Sequence, residues 1–332
     1  MKEVSIIIPT YKRVDLLREI FTSLLKQSSI YEIIVVDSDS NDGTKEFVDD
    51  CNNKSNINIM YINVANNVSL KRNTGILTAS QDFLIFLDDD CIPDKGFVKA
   101  HIDSLINKPN TVNCGDIFFP ILKVNASNYI RYKNSRHEQY RYSKLNTKVL
   151  DYRSIVTMNM SIKKSNILKN NLFFNEGFIG YGMEDNEFGC QVTDSGMDIQ
   201  SCAASIQHME INNSFIFAKK IFHTARDGVY RFNEINKNAA MNLRYSFFFE
   251  PDYKHQNLAI NFFMRKLEML FNVKIAKYTL QALDYVDKYK LLYFPWLYKY
   301  VYACYYRSGI KNRGKAYKKT SEVSSNWFSD NI

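Results

Sequence analysis

The sequence predicts an α/β domain on a mixed, mainly parallel sheet flanked by helices, with a helical appendage after it. Three observations predict this. Four short apolar runs rich in β-branched residues fall in the first third, at Val4–Pro9, Glu32–Asp37, Ile57–Asn63 and Phe83–Asp88. Amphipathic stretches separate them, the alternation expected of parallel strands joined by crossover helices. From about Ile211 the pattern changes to helical stretches rich in Tyr, Phe and Lys, with no internal repeat.

The four runs are apolar without alternation, so each predicts a strand buried on both faces. Between the first two, Leu16, Leu17, Ile20, Phe21, Leu24 and Leu25 form a stripe at helical spacing over Val14 to Leu25. Asp42-Gly43-Thr44 carries residues suited to open a second helix. An open sheet of this kind receives ligands at the carboxyl ends of its strands. The polar residues at those ends, Thr10, Asp37, Asp39 and Asp88 to Asp90, are therefore the first candidates for a site. The sheet domain is placed at 1–210 and the appendage at 211–332.

At 332 residues and 45% hydrophobic content, the chain can bury a full core and is too apolar to be largely disordered. Its formal charge of +8 is uneven: 20 basic and 9 acidic residues follow from Ile211, against 23 and 26 before it. That asymmetry points to an anionic partner for the basic part, nucleic acid or an anionic membrane surface. Nucleic-acid-binding signatures are absent and the aromatics recur at helical spacing, which excludes nucleic acid as the expected partner. Met1-Lys2-Glu3 runs directly into Val4–Pro9, too short for a secretory apolar region, and this predicts a cytoplasmic protein. Leu291 to Tyr306, interrupted by Pro295 and Lys299, falls short of the roughly 18–20 apolar residues of a spanning helix. Cys51, Cys91, Cys114, Cys190, Cys202 and Cys304 show no CxxC pairing and read as reduced structural thiols.

The strongest chemical signal is Leu87-Asp88-Asp89-Asp90-Cys91-Ile92-Pro93, three carboxylates where an apolar strand ends. Carboxylates so crowded raise each other's pKa, and a hard divalent ion bridging them to phosphate oxygens would remove that cost. The alternative is a solvated acidic turn. Val4-Ser5-Ile6-Ile7-Ile8-Pro9-Thr10-Tyr11-Lys12-Arg13, then Ile33-Ile34-Val35-Val36-Asp37-Ser38-Asp39-Ser40 with Gly43-Thr44, then Lys71-Arg72-Asn73-Thr74-Gly75, then the triple-Asp turn, follow in order. Together they resemble the family-2 glycosyltransferases of GT-A fold over about residues 3–210.

The resemblance implies roles. Pro9, Thr10 and Asp37 would face a uracil or similar base with Asp39 beside it, and Arg72 would sit near the nucleotide. Asp88 would contact the ribose side of the donor, with Asp89 next to it on the nucleotide side. Asp90, with Asp88, would hold Mn2+ or Mg2+. Against these stand simpler readings, in which Asp37 caps its own turn and Arg72 pairs with a neighbouring carboxylate. One departure is that Val68 and Ser69 occupy the turn where the family often has Gly before that Arg. The division implied is a nucleotide-sugar half over about 1–115 and an acceptor half over about 116–210.

A second cluster is Gly180-Tyr181-Gly182-Met183-Glu184-Asp185, in which two glycines permit close backbone approach and an acidic pair opens an apparent helix. It is similar to the acceptor segment of galactosyl- and N-acetylgalactosaminyl-type transferases, with Tyr181 where Trp is commoner. Inversion by single displacement needs one carboxylate to take the acceptor proton. The resemblance makes that Asp185, with Glu184 orienting the acceptor, and the alternative is a pair that only satisfies the helix dipole. His208, after a strand ending Ile206-Gln207, is implied as a further metal ligand, and imidazole suits Mn2+. His101, His137, His223 and His255 have nothing near them resembling a site.

In the appendage, Phe247-Phe248-Phe249, Phe262 to Lys266, Leu292 to Tyr300 and the bases Lys311, Arg313, Lys315, Lys318 and Lys319 interleave aromatic and basic character. This suits peripheral contact with an anionic bilayer interface and a lipid-linked acceptor, or else packing of the helices with a solvated basic face. The expected function is a metal-dependent inverting glycosyltransferase moving a sugar, UDP-linked, onto a glycan or lipid-linked glycan in surface polysaccharide assembly. The competing reading is a catalytically silent, membrane-associated nucleotide- or glycan-binding protein. A processive synthase would need a Q-x-x-R-W element, which Trp296 after Pro295 and Trp327 after Asn326 do not supply. A nucleotidyltransferase would need a glycine-rich loop where Thr10-Tyr11-Lys12-Arg13 stands.

Overall fold

The computed structural model of the chain describes residues 2–138, 141–142, 149–209, 213–243, 269–288 and 292–313. Phe247 to Phe249, His255, Phe262 to Lys266, Leu291, Lys315, Lys318, Lys319 and Trp327 lie outside them. The chain divides into two compact units, one of Met1–Ile121, Asn134–Glu176 and Glu184–Glu210, the other of Leu122–Lys133, Gly177–Met183 and Ile211–Ile332.

The first unit is built on one sheet. Its strands are β1 (Val4–Pro9), β2 (Ile30–Asp37), β3 (Asn58–Asn63), β4 (Phe83–Leu87), β5 (Cys91–Pro93), β6 (Thr111–Phe118), β7 (Val149–Leu150), β8 (Asn159–Lys163) and β9 (Asp198–His208). They run in the order β3-β2-β1-β4-β8-β6-β9-β5, with β7 also paired to β9. The segment β3-β2-β1-β4 is wholly parallel, whereas β8 is antiparallel to both β4 and β6. Apolar side chains clothe both faces of β1, as an uninterrupted apolar run requires. Ile6 and Ile8 pack with Leu17, Ile20, Phe21 and Leu24, and Ile7 packs on the opposite side with Ile76 and Leu84. Each such fully buried side chain is worth about 1.5–3 kcal/mol.

The crossover helices follow from local chemistry. Helix α1 (Val14–Leu24) buries Leu17, Ile20, Phe21 and Leu24, while Leu25, past its end, is exposed. Helix α2 (Thr44–Lys54) is preceded by Asp42, which serves two helices. Its Oδ1 accepts from the Thr44 amide (3.1 Å) and hydroxyl (2.6 Å), and its Oδ2 accepts from the Val14 amide (3.1 Å) at the start of α1. Helix α3 (Val68–Thr78) lies so close to β1 that a Cβ on Gly75 would stand 2.3 Å from Ile7 Cγ2. That contact explains the glycine of Arg72-Asn73-Thr74-Gly75. Strand β4 ends one residue earlier than the apolar run suggests, so all three aspartates sit in the turn after Leu87.

A buried polar network stiffens the middle of the sheet. His101 has Nδ1 2.9 Å from the Ser161 hydroxyl and Nε2 2.9 Å from Asn159 Oδ1, and Asn159 Nδ2 donates to the carbonyls of Asp116 and Ala204. Burial pushes the His101 imidazole down to about 4, so it is neutral and structural.

In the second unit, the helices Ser214–His223 and Val229–Ile235 are joined by a π-helical turn, Thr224–Gly228, and are followed by helices Val273–Lys288 and Pro295–Lys311. Pro295 stands at the start of the last helix, where a missing amide costs nothing. Its Tyr298 stacks on Tyr132 at 5.1 Å and its Tyr302 meets Phe217 edge-on at 4.9 Å, so much of the aromatic content is core. Among the described residues no helix is long and apolar enough to cross a membrane. The Gly180-Tyr181-Gly182 segment packs on the π-helical turn, and a Cβ on Gly228 would stand 2.1 Å from the Gly182 carbonyl oxygen. Because that neighbour is backbone, Gly228→Ala is expected to lower stability by about 1–3 kcal/mol, measured by urea denaturation followed by circular dichroism.

Candidate active site

At the carboxyl end of the parallel strands, Thr10, Asp37 and Asp39 follow β1 and close β2. The buried Asp37 is satisfied within its own turn, accepting from the Ser40 amide (3.1 Å) and hydroxyl and from the Tyr61 hydroxyl (3.0 Å). Asp39 is exposed at φ 48°, and its amide and carboxylate both engage the Asn63 side chain, at 2.9 and 2.6 Å. Pro9 and Thr10 are buried, and the Thr10 hydroxyl donates to Asp89 Oδ2 at 2.8 Å.

The three aspartates have three different surroundings. Asp89 turns inward, held by Thr10 and by Arg13 at 2.7 Å, and burial raises its carboxyl against the pull of that guanidinium. Asp90 meets Arg13 at 3.1 Å and His208 Nε2 at 3.4 Å, both at Oδ2. Asp88 meets the buried Arg72 at 3.4 Å. Burial raises the Asp88 carboxyl, with Arg72 opposing.

Arg72, whose side chain is 4% exposed, gathers the candidate acceptor residues onto the same point. One guanidinium nitrogen lies 3.1 Å from Glu184 and 3.3 Å from Asp185, and the other faces Asp88. The guanidinium also sits 5.4 Å from the Phe174 ring centroid. Glu184 and Asp185 open the helix Glu184–Asp194, whose first turn also carries Glu187. Asp185 accepts from the Thr157 hydroxyl (2.9 Å) and amide (3.2 Å). Burial, helped by Glu184 and Asp88 and opposed by Arg72, lifts the Asp185 carboxyl to about 7. A carboxylate poised there is suited to accept a proton near neutral pH.

The pairing of β5 with β9 sets Cys91 opposite His208, which brings the aspartate turn and the imidazole together. An Asp90 oxygen, the Cys91 sulfur and a His208 ring nitrogen all lie within 4.8 Å of one another. His208 is buried, its ring lies tilted against Phe119 with centroids 5.1 Å apart, and its Nδ1 has no hydrogen-bond partner. A carboxylate and an imidazole with an unspent nitrogen fit a divalent cation.

Residues 5–164 match the family described as glycosyl transferase family 2, and residues 136–213 match the N-terminal domain of galactosyltransferase. The chain belongs to glycosyltransferase family 2. This family-2 glycosyltransferase is 25% identical over 244 residues to the uncharacterized glycosyltransferase YfnE of Bacillus subtilis, covering 58% of the chain and 61% of that relative. It is 30% identical over 125 residues to the poly(ribitol-phosphate) beta-N-acetylglucosaminyltransferase TarS of Staphylococcus aureus, covering 34% of the chain and 22% of TarS. The chain thus spans less than two thirds of each of these relatives. A crystal structure of S. aureus TarS in complex with UDP-GlcNAc aligns with a TM-score of 0.51 at 15% identity, over 97% of this chain and 93% of that one. The shared fold is the GT-A fold, and the enzymes of this fold use nucleotide-sugar donors.

Two residues of this glycosyltransferase escaped the sequence reading. Arg13 pairs with two of the three aspartates, Asp89 and Asp90. Lys71 is buried, donates to the Thr10 carbonyl (2.7 Å) and Asn66 Oδ1 (3.0 Å), and burial pushes its ammonium down to about 8. Lys71 adjoins Arg72, and Arg13 and Lys71 both lie within the stretches that carry the family resemblance, which is the signal that points to them.

Proposed function

We propose that this enzyme transfers a hexose or N-acetylhexosamine from a UDP-linked donor to a hydroxyl of a glycan or lipid-linked glycan, inverting the anomeric centre. The observation that carries this reading is the convergence of Asp88 with Glu184 and Asp185 on one buried arginine, Arg72. Donor-side and acceptor-side carboxylates are thereby joined in a single charge network. In the proposed reaction the acceptor oxygen forms a bond to the anomeric carbon while the bond to the nucleoside diphosphate breaks. Asp185 takes the hydroxyl proton, and Glu184 orients the acceptor. The Thr157 hydroxyl donates to Asp185 and fixes the orientation of its carboxylate. Thr10, Asp37 and Asp39 line the base end, with Asp88 and Asp89 beside the ribose. Asp90 and His208, with Asp88, would hold Mn2+ or Mg2+, which when bound neutralises charge on the departing diphosphate.

TarS acts on poly(ribitol-phosphate), and another relative, 30% identical over 116 residues, is a chondroitin synthase of Escherichia coli. Both names support a place in surface polysaccharide assembly. A peripheral position on an anionic membrane is supported by exposed Tyr278, Tyr285 and Trp296 beside exposed Lys274, Lys277 and Lys299.

Titrating UDP and GDP into the full chain, with Mn2+ and with EDTA, tests the donor site. UDP is expected to bind with Mn2+ and to lose its affinity in EDTA and in Asp90→Ala. Absence of binding by either nucleotide in every condition would replace the transferase reading of this site with that of a silent binding protein.

A further inference from the structure

We infer that Cys91 supplies a thiolate ligand to the cation site at Asp90 and His208, so that thiophilic divalent ions such as Zn2+ and Co2+ bind there more tightly, relative to Mn2+, than the carboxylate and imidazole alone would allow. The inference rests on the metal-assisted reading above and concerns a residue which that reading leaves unused.

The geometry comes from a three-residue strand. Register sets Cys91 directly across from His208, with Ile92 and Pro93 facing Gln207 and Ile206. Residues directly opposed in an antiparallel pair send their side chains to the same face. The Asp90 carboxylate bridges them, with Oδ1 3.5 Å from the Cys91 sulfur and Oδ2 3.4 Å from His208 Nε2. The three donor atoms therefore fall within 4.8 Å of one another. His208 is only 8% exposed, yet its Nδ1 makes no hydrogen bond.

A buried free cysteine is ordinarily a small hydrophobic residue. Cys91 is a fully buried member of the core, but its sulfur meets a carboxylate and lies within reach of an imidazole, which a purely apolar role does not require. Carboxylate, imidazole and thiolate together form an oxygen, nitrogen and sulfur set. Oxygen-only sites suit Mg2+ and Mn2+, whereas sulfur shifts preference towards Zn2+ and Co2+. On coordination the sulfur–metal bond forms and the thiol proton leaves to solvent.

Zn2+ outranks Mn2+ at almost any site of this kind, so the preference alone decides nothing. The diagnostic is its dependence on Cys91. Co2+ is titrated into the full chain while near-ultraviolet sulfur-to-cobalt charge-transfer absorption is recorded, and Zn2+ and Mn2+ affinities are measured calorimetrically. The wild type is expected to develop the band, and Cys91→Ser and Cys91→Ala to lack it. Both variants are expected to lose at least about tenfold of the Zn2+ preference over Mn2+. The wild-type band tests the inference even where a variant folds poorly. Co2+ binding without the band, or a band that survives in folded Cys91→Ser, overturns it while leaving the metal-assisted reading intact. If none of the three ions binds, both readings fall.

Discussion

Replacing Asp185 by Asn is expected to lower kcat by about 10²–10⁴-fold, the usual contribution of a positioned general base, while nucleotide affinity is unchanged. The amide keeps the shape of the carboxylate: its oxygen can take the place of Oδ2 and accept from the Thr157 amide, while its NH2 takes the place of Oδ1 and can donate to a reoriented Thr157 hydroxyl, so the helix start should stay in place. The capacity to take a proton is removed, together with one carboxylate facing Arg72, whose pairing with Glu184 and Asp88 remains. Glu184→Gln is the matching control and is expected to act mainly on the acceptor KM, because an orienting contact contributes to binding. Equal losses of kcat in the two variants would reassign the base.

The pH dependence carries the same argument with a defined sign. Burial first, then Glu184 and Asp88, lift Asp185 to about 7 against Arg72 and the Thr157 amide. With Asp185 as the proposed base, transfer would need its ionised form, and kcat/KM is then expected to fall about tenfold for each pH unit below that point. Stability runs the other way. The unfolded carboxyl ionises near pH 4, so between about 4 and 7 the folded state holds the extra proton and stability declines as pH rises. Asp185→Asn removes this penalty and is expected to be at least as stable as the wild type at pH 8, read from urea denaturation in EDTA.

The parallel strands were legible because burial on both faces leaves only apolar residues along them, and Ile6, Ile7 and Ile8 show this directly. The triple aspartate was legible because a charged run stands out against such a strand. What stayed hidden depends on partners distant in sequence. A three-residue strand such as β5 has no periodicity to read, yet its pairing with β9 sets Cys91 opposite His208. The partners of Arg13 and Lys71 lie far away in sequence, Asp89 and Asp90 for the first and the Thr10 carbonyl for the second, and Lys71 is buried under the end of β1. The Gly180 and Gly182 spacing predicts a close backbone approach without saying to what. In the structure the added Cβ atoms would meet Asp227 at 2.3 Å and Thr224 at 3.1 Å, so the close approach is to the chain's own π-helical turn.

Arg72→Met is expected to cost about 3–5 kcal/mol of stability at neutral pH, the range seen when one partner of a buried ion network is removed. Arg72 is the only basic side chain within 4 Å of Asp88, Glu184 and Asp185 among the described residues. Without it three carboxylates share a poorly solvated space, and their folded pKa values must rise. Groups whose folded pKa is raised destabilise the protein above the unfolded value near 4, and increasingly so as pH climbs to the folded value. The deficit of Arg72→Met is therefore expected to be small at pH 5 and large at pH 8, measured in EDTA so that no cation substitutes for the guanidinium. A deficit independent of pH would mean that Arg72 acts through packing on Phe174 alone. Arg72→Lys separates charge from shape: an ammonium restores one positive charge but not the planar fork that reaches Glu184 and Asp185 with one nitrogen and Asp88 with the other. It is expected to recover part of the stability and little of the transfer rate, since Asp185 would no longer be held opposite Asp88.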